Sequence, residues 1–176
     1  MSHMKTWPMW AAGTIALVAV FHTLTVFGLP YGIMNRAMAG IASQAGGVNK
    51  PVYPDRPSAE ARGIVRPSPD LLYTACVYDV SARPVKLTSP VPDTYWSLST
   101  FASNTDNFFV VNDRQVKTDR IEIILASSEE AGSNKGIPVI VAPSSKGIVL
   151  FRSLVPSEDL RAEIDTKRRQ ANCEPL

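Results

Sequence analysis

Between residues 95 and 115 the chain reads YWSLSTFASNTDNFFVVNDRQ, and Asn104, Asp106, Asn107 and Asn112 crowd around two phenylalanines. Carboxamides and carboxylates at that density suit two kinds of work. They can hold a small polar or glycan-like ligand in a pocket completed by Arg66, Asp70, Tyr73 and Trp96. They can equally serve the backbone alone, because Asn and Asp side chains bond nearby main-chain groups and tolerate turn conformations. A tight turn over residues 103–107 accounts for the cluster without any ligand. Arg114 then pairs with Asp113 or Asp70 at the surface, for little stability.

Other chemistry is narrowed by what the chain lacks. Nucleophilic hydrolysis needs a base, usually histidine. The two histidines are His3, near the N-terminus, and His22, inside an apolar run. Ser–His and Cys–His catalysis are thereby excluded from the rest of the chain. Two separated cysteines do not make a zinc cluster, and neither a P-loop nor a GxGxxG motif is present. A carboxylate pair works alone in glycosidases. Asp70, Asp79, Asp93, Asp106 and Asp113 are available, but their spacing selects no pair. No catalytic residue, metal ligand or cofactor is assigned, and an enzyme is not expected.

The elements that carry these residues fall into three parts. Residues 1–46 read as a membrane anchor. From residue 10 to 29 the sequence WAAGTIALVAVFHTLTVFGL has no Asp, Glu, Lys or Arg, and a helix of that length crosses a hydrocarbon core of ~30 Å. Trp7, Trp10 and Tyr31 stand where interfacial aromatics belong. The rival reading is a signal peptide cleaved after Ala37-Met38-Ala39. The apolar core of a signal peptide runs ~7–15 residues, and this one is longer, which favours an uncleaved single-pass anchor.

Thr14, His22 and Thr25 share an arc of about 80° on that helix at 100° per residue. They predict a face against another membrane helix. The alternatives are hydroxyls bonded to their own backbone, and, for His22, a haem or pigment ligand. A continuing helix over about 31–45 carries Met34, Met38, Ile41 and Ala45 at helical spacing and ends at Gly46-Gly47. It extends the anchor or lies along the membrane surface.

Residues 47–65, rich in proline and charge, read as an extended linker over the domain surface. Residues 66–176 form a β-rich domain. Short runs bounded by turn residues (LLYTACVYDV, PVKLT, YWSLSTF, FFVVN, RIEIILA, IPVIVA and GIVLFRSLV) predict seven strands, the last two buried on both faces. Trp96 and Leu98 should share one face of their strand, with Ser97 and Ser99 on the other. SSEEAGSNKG, residues 127–136, reads as an exposed loop tip. The fold class is thus mainly β, a transmembrane helix followed by a sandwich or jelly-roll-like domain with a C-terminal helix. That helix has Ser157 as N-cap, acidic residues first and Lys167, Arg168 and Arg169 last, which matches the helix dipole. The basic end reads as solvated rather than bound to lipid.

The formal net charge is +2, too small to point to nucleic acid. An inside N-terminus exports the β domain, which suits the two cysteines. Cys76 and Cys173 are then expected to pair, since exported proteins tend to oxidise their thiols. Two buried free thiols are the alternative.

The blocks RPSPDLLYTACVYDVSARPV, YWSLSTF, NTDNFF and VVNDRQ, in that order, resemble the family called domain of unknown function 1254, in its short, membrane-anchored bacterial form. The similarity is strongest from Arg66 to Gln115. It continues more weakly through GIVLFRSLV and the basic tail. Long members often show Arg-x-Asn-x-Asp where this chain has Arg66-Pro67-Ser68-Pro69-Asp70, so Ser68 removes a carboxamide. The resemblance implies architecture and partnership. Long members place this domain before a second β domain, called 1214. Short members resemble proteins that work beside a separately encoded partner. The implied partner is a membrane-anchored domain 1214 type protein, within a larger membrane complex, with self-association as the simpler alternative. No reaction is implied, and a role as accessory subunit stands against the pocket of Arg66, Asp70 and Asp106.

Overall fold

The computed structural model describes residues 6–58, 60, 63, 66–129 and 136–176. His3, residues 59, 61, 62, 64 and 65 of the expected linker, and residues 130–135 of the expected loop tip lie outside the described residues.

One helix, α1, runs from Trp7 to Ala45 without interruption. Pro8 sits in its first turn, where a missing N–H costs nothing. Pro30 lies inside it and removes one rung of the backbone ladder. Gly46 ends it in the left-handed conformation at φ 69°, and the Gly47 N–H donates to the Ala42 carbonyl at 2.8 Å. Glycine reaches that conformation at no steric cost.

Nine strands follow among the described residues: β1 (Pro51–Val52), β2 (Leu71–Asp79), β3 (Val85–Pro90), β4 (Trp96–Ala102), β5 (Asn107–Asn112), β6 (Arg120–Ala126), β7 (Val139–Val141), β8 (Lys146–Leu154) and β9 (Asn172–Pro175). They form two sheets, ordered β1-β2-β8-β4-β5 and β7-β6-β3-β9. Described pairs are antiparallel except β6 with β7. The C-terminal helix is short. A 3-10 turn, Glu158–Leu160, leads into α2 (Arg161–Arg168).

Cys76, Tyr78, Val85, Leu87, Trp96, Leu98, Leu125, Val149, Phe151 and Cys173 meet between the sheets. Trp96 and Phe151 rings lie 6.4 Å apart. Period-two alternation drives this packing, and it places Trp96 and Leu98 inward as expected. Ser97 and Ser99 point the other way and are nonetheless buried. Gly147 allows β8 to run close to β4, since a Cβ there would collide with the Phe101 carbonyl and the Tyr78 ring. A disulfide joins Cys76 of β2 to Cys173 of β9 and so ties one sheet to the other.

The last turns of α1 belong to this domain. Because Cys76 and Tyr78 face the core, Ala75 and Val77 face the opposite side of β2. Both are buried, and α1 packs there against β2 and β8. Met34 is the buried residue of α1. Ala37, Met38, Ile41, Ala42 and Ala45 continue its stripe, partly buried, at the i, i+3, i+4 spacing of one helix face. The chain is held where it leaves the helix. The Asn49 side chain accepts from the Asp79 N–H at 2.7 Å and donates to its carbonyl at 3.0 Å.

Four expectations need correction. The described residues hold nine strands rather than seven, because β1 and β9 are short edge strands whose pairing comes from the neighbours they lie against. The IPVIVA run is not buried on both faces. It forms β7, which is three residues long and half exposed at a sheet edge. Ser157 caps nothing with its side chain, since a 3-10 turn rather than α2 follows it. Arg168 is 5% exposed rather than solvated. Its Nε donates to Asp165 at 2.6 Å and a terminal nitrogen donates to the Tyr73 carbonyl at 2.5 Å.

Candidate functional site

The residues expected to line a pocket are distributed to opposite ends of the larger sheet. β4 starts at Trp96 and ends at Ala102, a run of about 20 Å at ~3.3 Å per residue. Arg66, Asp70 and Tyr73 sit at the end where β2 begins. Asn104, Asp106 and Asn107 sit at the other end, where β4 turns into β5. Trp96 is 1% exposed and belongs to the core. The structure therefore does not bring these seven residues together.

The distal cluster is spent on its own turn. The Ala102 N–H donates to the Asp106 carbonyl at 2.8 Å. Asn104 Oδ1 accepts from the Asp106 N–H at 3.2 Å, while Asn104 Nδ2 donates to the Asp106 carboxylate at 2.6 Å. Thr105 takes φ 73°, a left-handed conformation that the flanking bonds hold in place. A second turn follows β5, where Asn112 Oδ1 accepts from the Arg114 N–H at 3.1 Å. Asp113 Oδ1 accepts from the Trp96 N–H at 3.3 Å. At the near end, the Tyr73 hydroxyl accepts from the Ser68 N–H at 2.9 Å. Arg66 is exposed.

On α1, Thr14 donates to the Trp10 carbonyl at 2.9 Å and Thr25 to the Phe21 carbonyl at 2.8 Å. Both hydroxyls are thus satisfied within the helix. His22 lies exposed on the same helix.

Sequence reasoning missed a cleft of about 340 Å³ between the linker and α2. Its walls are charged, and the charges are matched. Arg56 reaches Glu158 at 2.8 Å, Arg161 reaches the same carboxylate at 2.9 Å, and Asp165 takes Arg168 and Arg169 at 2.6 and 2.8 Å. Burial would raise the Asp165 carboxyl, but hydrogen bonds from Arg169 and Arg168 outweigh it and hold the group below the usual carboxylate range. Tyr53 completes the clamp. Its hydroxyl donates to the Ala171 carbonyl at 2.7 Å, and the Arg169 guanidinium lies 5.8 Å above its ring. Burial pushes the Tyr53 hydroxyl above its ordinary value, with the nearby arginines opposing. This cleft fastens residues 53–56 to the tail. The i, i+3 and i, i+4 spacing of Asp165, Arg168 and Arg169 was available as a signal, while the pairing with Arg56 was not. Among the described residues no group of three or more His, Cys, Asp or Glu is placed to hold a metal ion.

Comparison with known proteins agrees with this architecture. The profile of the family described as "Protein of unknown function (DUF1254)" matches residues 48–175. The fold is similar to that of a crystal structure from Vibrio parahaemolyticus, with TM-score 0.63 and 18% identity over 88% of this chain and 38% of that one. It is also similar to a putative uncharacterized protein from Burkholderia cenocepacia, with TM-score 0.52 and 16% identity over 88% of this chain and 41% of that one. The chain thus spans about two fifths of the length of these solved structures. No curated protein matches it in sequence.

Proposed function

We propose, from the premise that this chain belongs to the DUF1254 family of proteins of unknown function, that it is a membrane-anchored envelope protein acting as a non-catalytic partner within a membrane assembly. The observation that carries this reading is the double use of α1. Its apolar stretch is long enough to cross a membrane and has no buried residue, while its last turns pack against β2 and β8. A domain mounted in this way is held at one surface together with any partner in the same membrane. Confinement raises the effective concentration of both, so a modest interface suffices.

Three further points support the reading. The sequence places neither histidine in the β domain. The polar residues that resembled a pocket lie at opposite ends of the larger sheet. The Vibrio and Burkholderia chains carry more than half their length outside the matched portion, so in those proteins this fold occurs beside further protein. The proposed partner is a membrane-anchored β protein of the 1214 type, with a second copy of this chain as the simpler case. Thr14, His22 and Thr25 form the face on which a partner helix would pack. The β domain lies in the periplasm, where its disulfide is stable.

The test is the mass of the complex extracted from native membranes in mild detergent, by light scattering with the detergent subtracted. A mass well above one chain, falling when Thr14 and His22 are replaced by Leu, is expected. A clean monomer with nothing co-purifying contradicts the proposal.

A further inference from the structure

The mounting of the domain on α1 fixes which of its ends meets the bilayer. β2 runs from Leu71 to Asp79, and Asn49, just beyond the helix, is bonded to Asp79. The Ala45 end of α1 therefore lies beside the Asp79 end of the sheet. Met34 is buried and α1 packs along β2 and β8, so the helix approaches from the Leu71 end. From Met34 to Ala45 the helix rises about 16 Å at 1.5 Å per residue. The strand covers about 26 Å at ~3.3 Å per residue. The Leu71 end of the sheet thus projects roughly 10 Å past Met34, back toward Leu29, where the apolar run stops. No flexible joint intervenes, because α1 is continuous through Pro30.

Other elements converge on the same end. β4 begins there, β8 ends there, and the turn after β5 lies there, since Ser97 pairs with both Arg152 and Asn112. The Thr94 hydroxyl donates to the Leu154 carbonyl at 3.1 Å. The groups exposed at this end include Arg66, Arg114 and Tyr95, the last 44% exposed, together with two carboxylates, Asp70 and Asp93, of which Asp93 faces Lys167 at 3.9 Å. Among the described residues no ion pair engages Arg66 or Arg114. Arg56, Arg120, Arg161, Arg168 and Arg169 meet carboxylates, while Arg36, Arg83 and Arg152 share with Arg66 and Arg114 the lack of an ion pair among the described residues, so what marks this end is its position relative to α1.

We infer that this end of the sandwich, built from residues 66–70, the loop at Thr94–Tyr95 and the turn at 112–114, is a contact surface for the lipid headgroup layer. The guanidiniums of Arg66 and Arg114 face the phosphates, and Tyr95 occupies the interfacial zone that suits an amphipathic ring. The domain stands on the membrane with the turns at residues 80–84 and 103–107 farthest from it. The inference rests on the proposed membrane span and adds an orientation to it.

Depth-dependent quenching in reconstituted vesicles tests both separately. A fluorophore is attached to single cysteines introduced as Val18→Cys, Gln115→Cys or Ala82→Cys in the otherwise native, oxidised chain. The vesicles contain phosphatidylcholine and phosphatidylglycerol with nitroxide on either the headgroup or the acyl chain. Expected are acyl-chain quenching at position 18, and headgroup quenching several-fold stronger at position 115 than at position 82. Equal headgroup quenching at 115 and 82, with position 18 still quenched by the acyl-chain probe, overturns the inference and leaves the span intact. An unquenched position 18 overturns the span, and the inference with it.

Discussion

From Trp7 to Leu29, α1 exposes Trp10, Phe21, Leu24 and Phe27 at 64–75% of their surface, while Met34, a few residues later on the same helix, is 5% exposed. The two stretches look alike in composition, since both are apolar and weakly charged. They differ in what surrounds them. The first has no protein partner among the described residues and is long and apolar enough to cross a membrane. The second carries its apolar residues on one stripe, and the outer face of the larger sheet covers them. The comparison teaches that one unbroken helix can join a stretch long and apolar enough to cross a membrane to a stretch that packs on a sheet of its own domain.

The predicted perturbations act on one side of that boundary and leave the other untouched. The largest effect belongs to the disulfide. Replacing Cys76 and Cys173 by Ala frees a loop of sequence separation 97, and the chain-entropy model puts the loss at about 4.7 kcal/mol. Calorimetry should show a much lower melting temperature for the β domain, with α1 still extracted only by detergent. Next is the seam itself. Met34→Ala should cost the domain about 2 kcal/mol, at the low end for a buried methionine because the seam lies at the edge of the fold. Leu24→Ala, on the exposed half, should leave the denaturant midpoint of the domain unchanged. If both variants behave alike, the distinction between the two stretches of α1 fails.

A smaller effect is expected at the distal turn. Asn104→Ala removes the side-chain bonds to Asp106, worth about 1 kcal/mol. Hydrogen exchange should rise at residues 102–107 and remain unchanged at the seam. The smallest effect is on pH dependence. The folded Asp165 carboxyl lies below its usual value through the hydrogen bonds of Arg169 and Arg168, against the opposing effect of burial. A depressed carboxylate stabilises the fold above its unfolded value, about 3.9, and that contribution is lost as pH falls through the folded value. The melting temperature should therefore be flat near neutrality and fall below about pH 4. Asp165→Asn should shallow that fall, and the stretch from residue 10 to 29, which has no carboxylate, should not respond.

Some features could be read from the sequence because a single physical rule dictates them. The alternation of Trp96, Ser97, Leu98 and Ser99 follows from strand pleating. The end of α1 follows from Gly46, and the turn at 103–107 from the habit of Asn and Asp to bond the local backbone. The features that could not be read depend on distant partners. The strand at Asn172–Pro175 forms because β3 offers an edge. Nothing local in NCEP specifies it. Arg168 looks like part of a solvated basic run, and only the fold brings the Tyr73 carbonyl to it. The stripe of Met34, Met38, Ile41 and Ala45 was visible as a helical period. That it faces a sheet rather than the membrane surface depends on Ala75 and Val77, thirty to forty residues away. The failure of Arg66, Asp70 and Asp106 to converge has the same origin, since the pairing of β2 and β4 with β8 puts the start of β2 and the end of β4 at opposite ends of one sheet.

The measurement that bears most directly on the double role of α1 is the intact mass of the mature protein extracted from membranes. Cleavage after Ala39 would remove Met34, Ala37 and Met38, half of the stripe that packs on the sheet. If α1 is both span and part of the domain, the mature protein retains the segment before Gly40 and resists extraction by carbonate. A mature chain beginning near Gly40 and released without detergent would contradict the account.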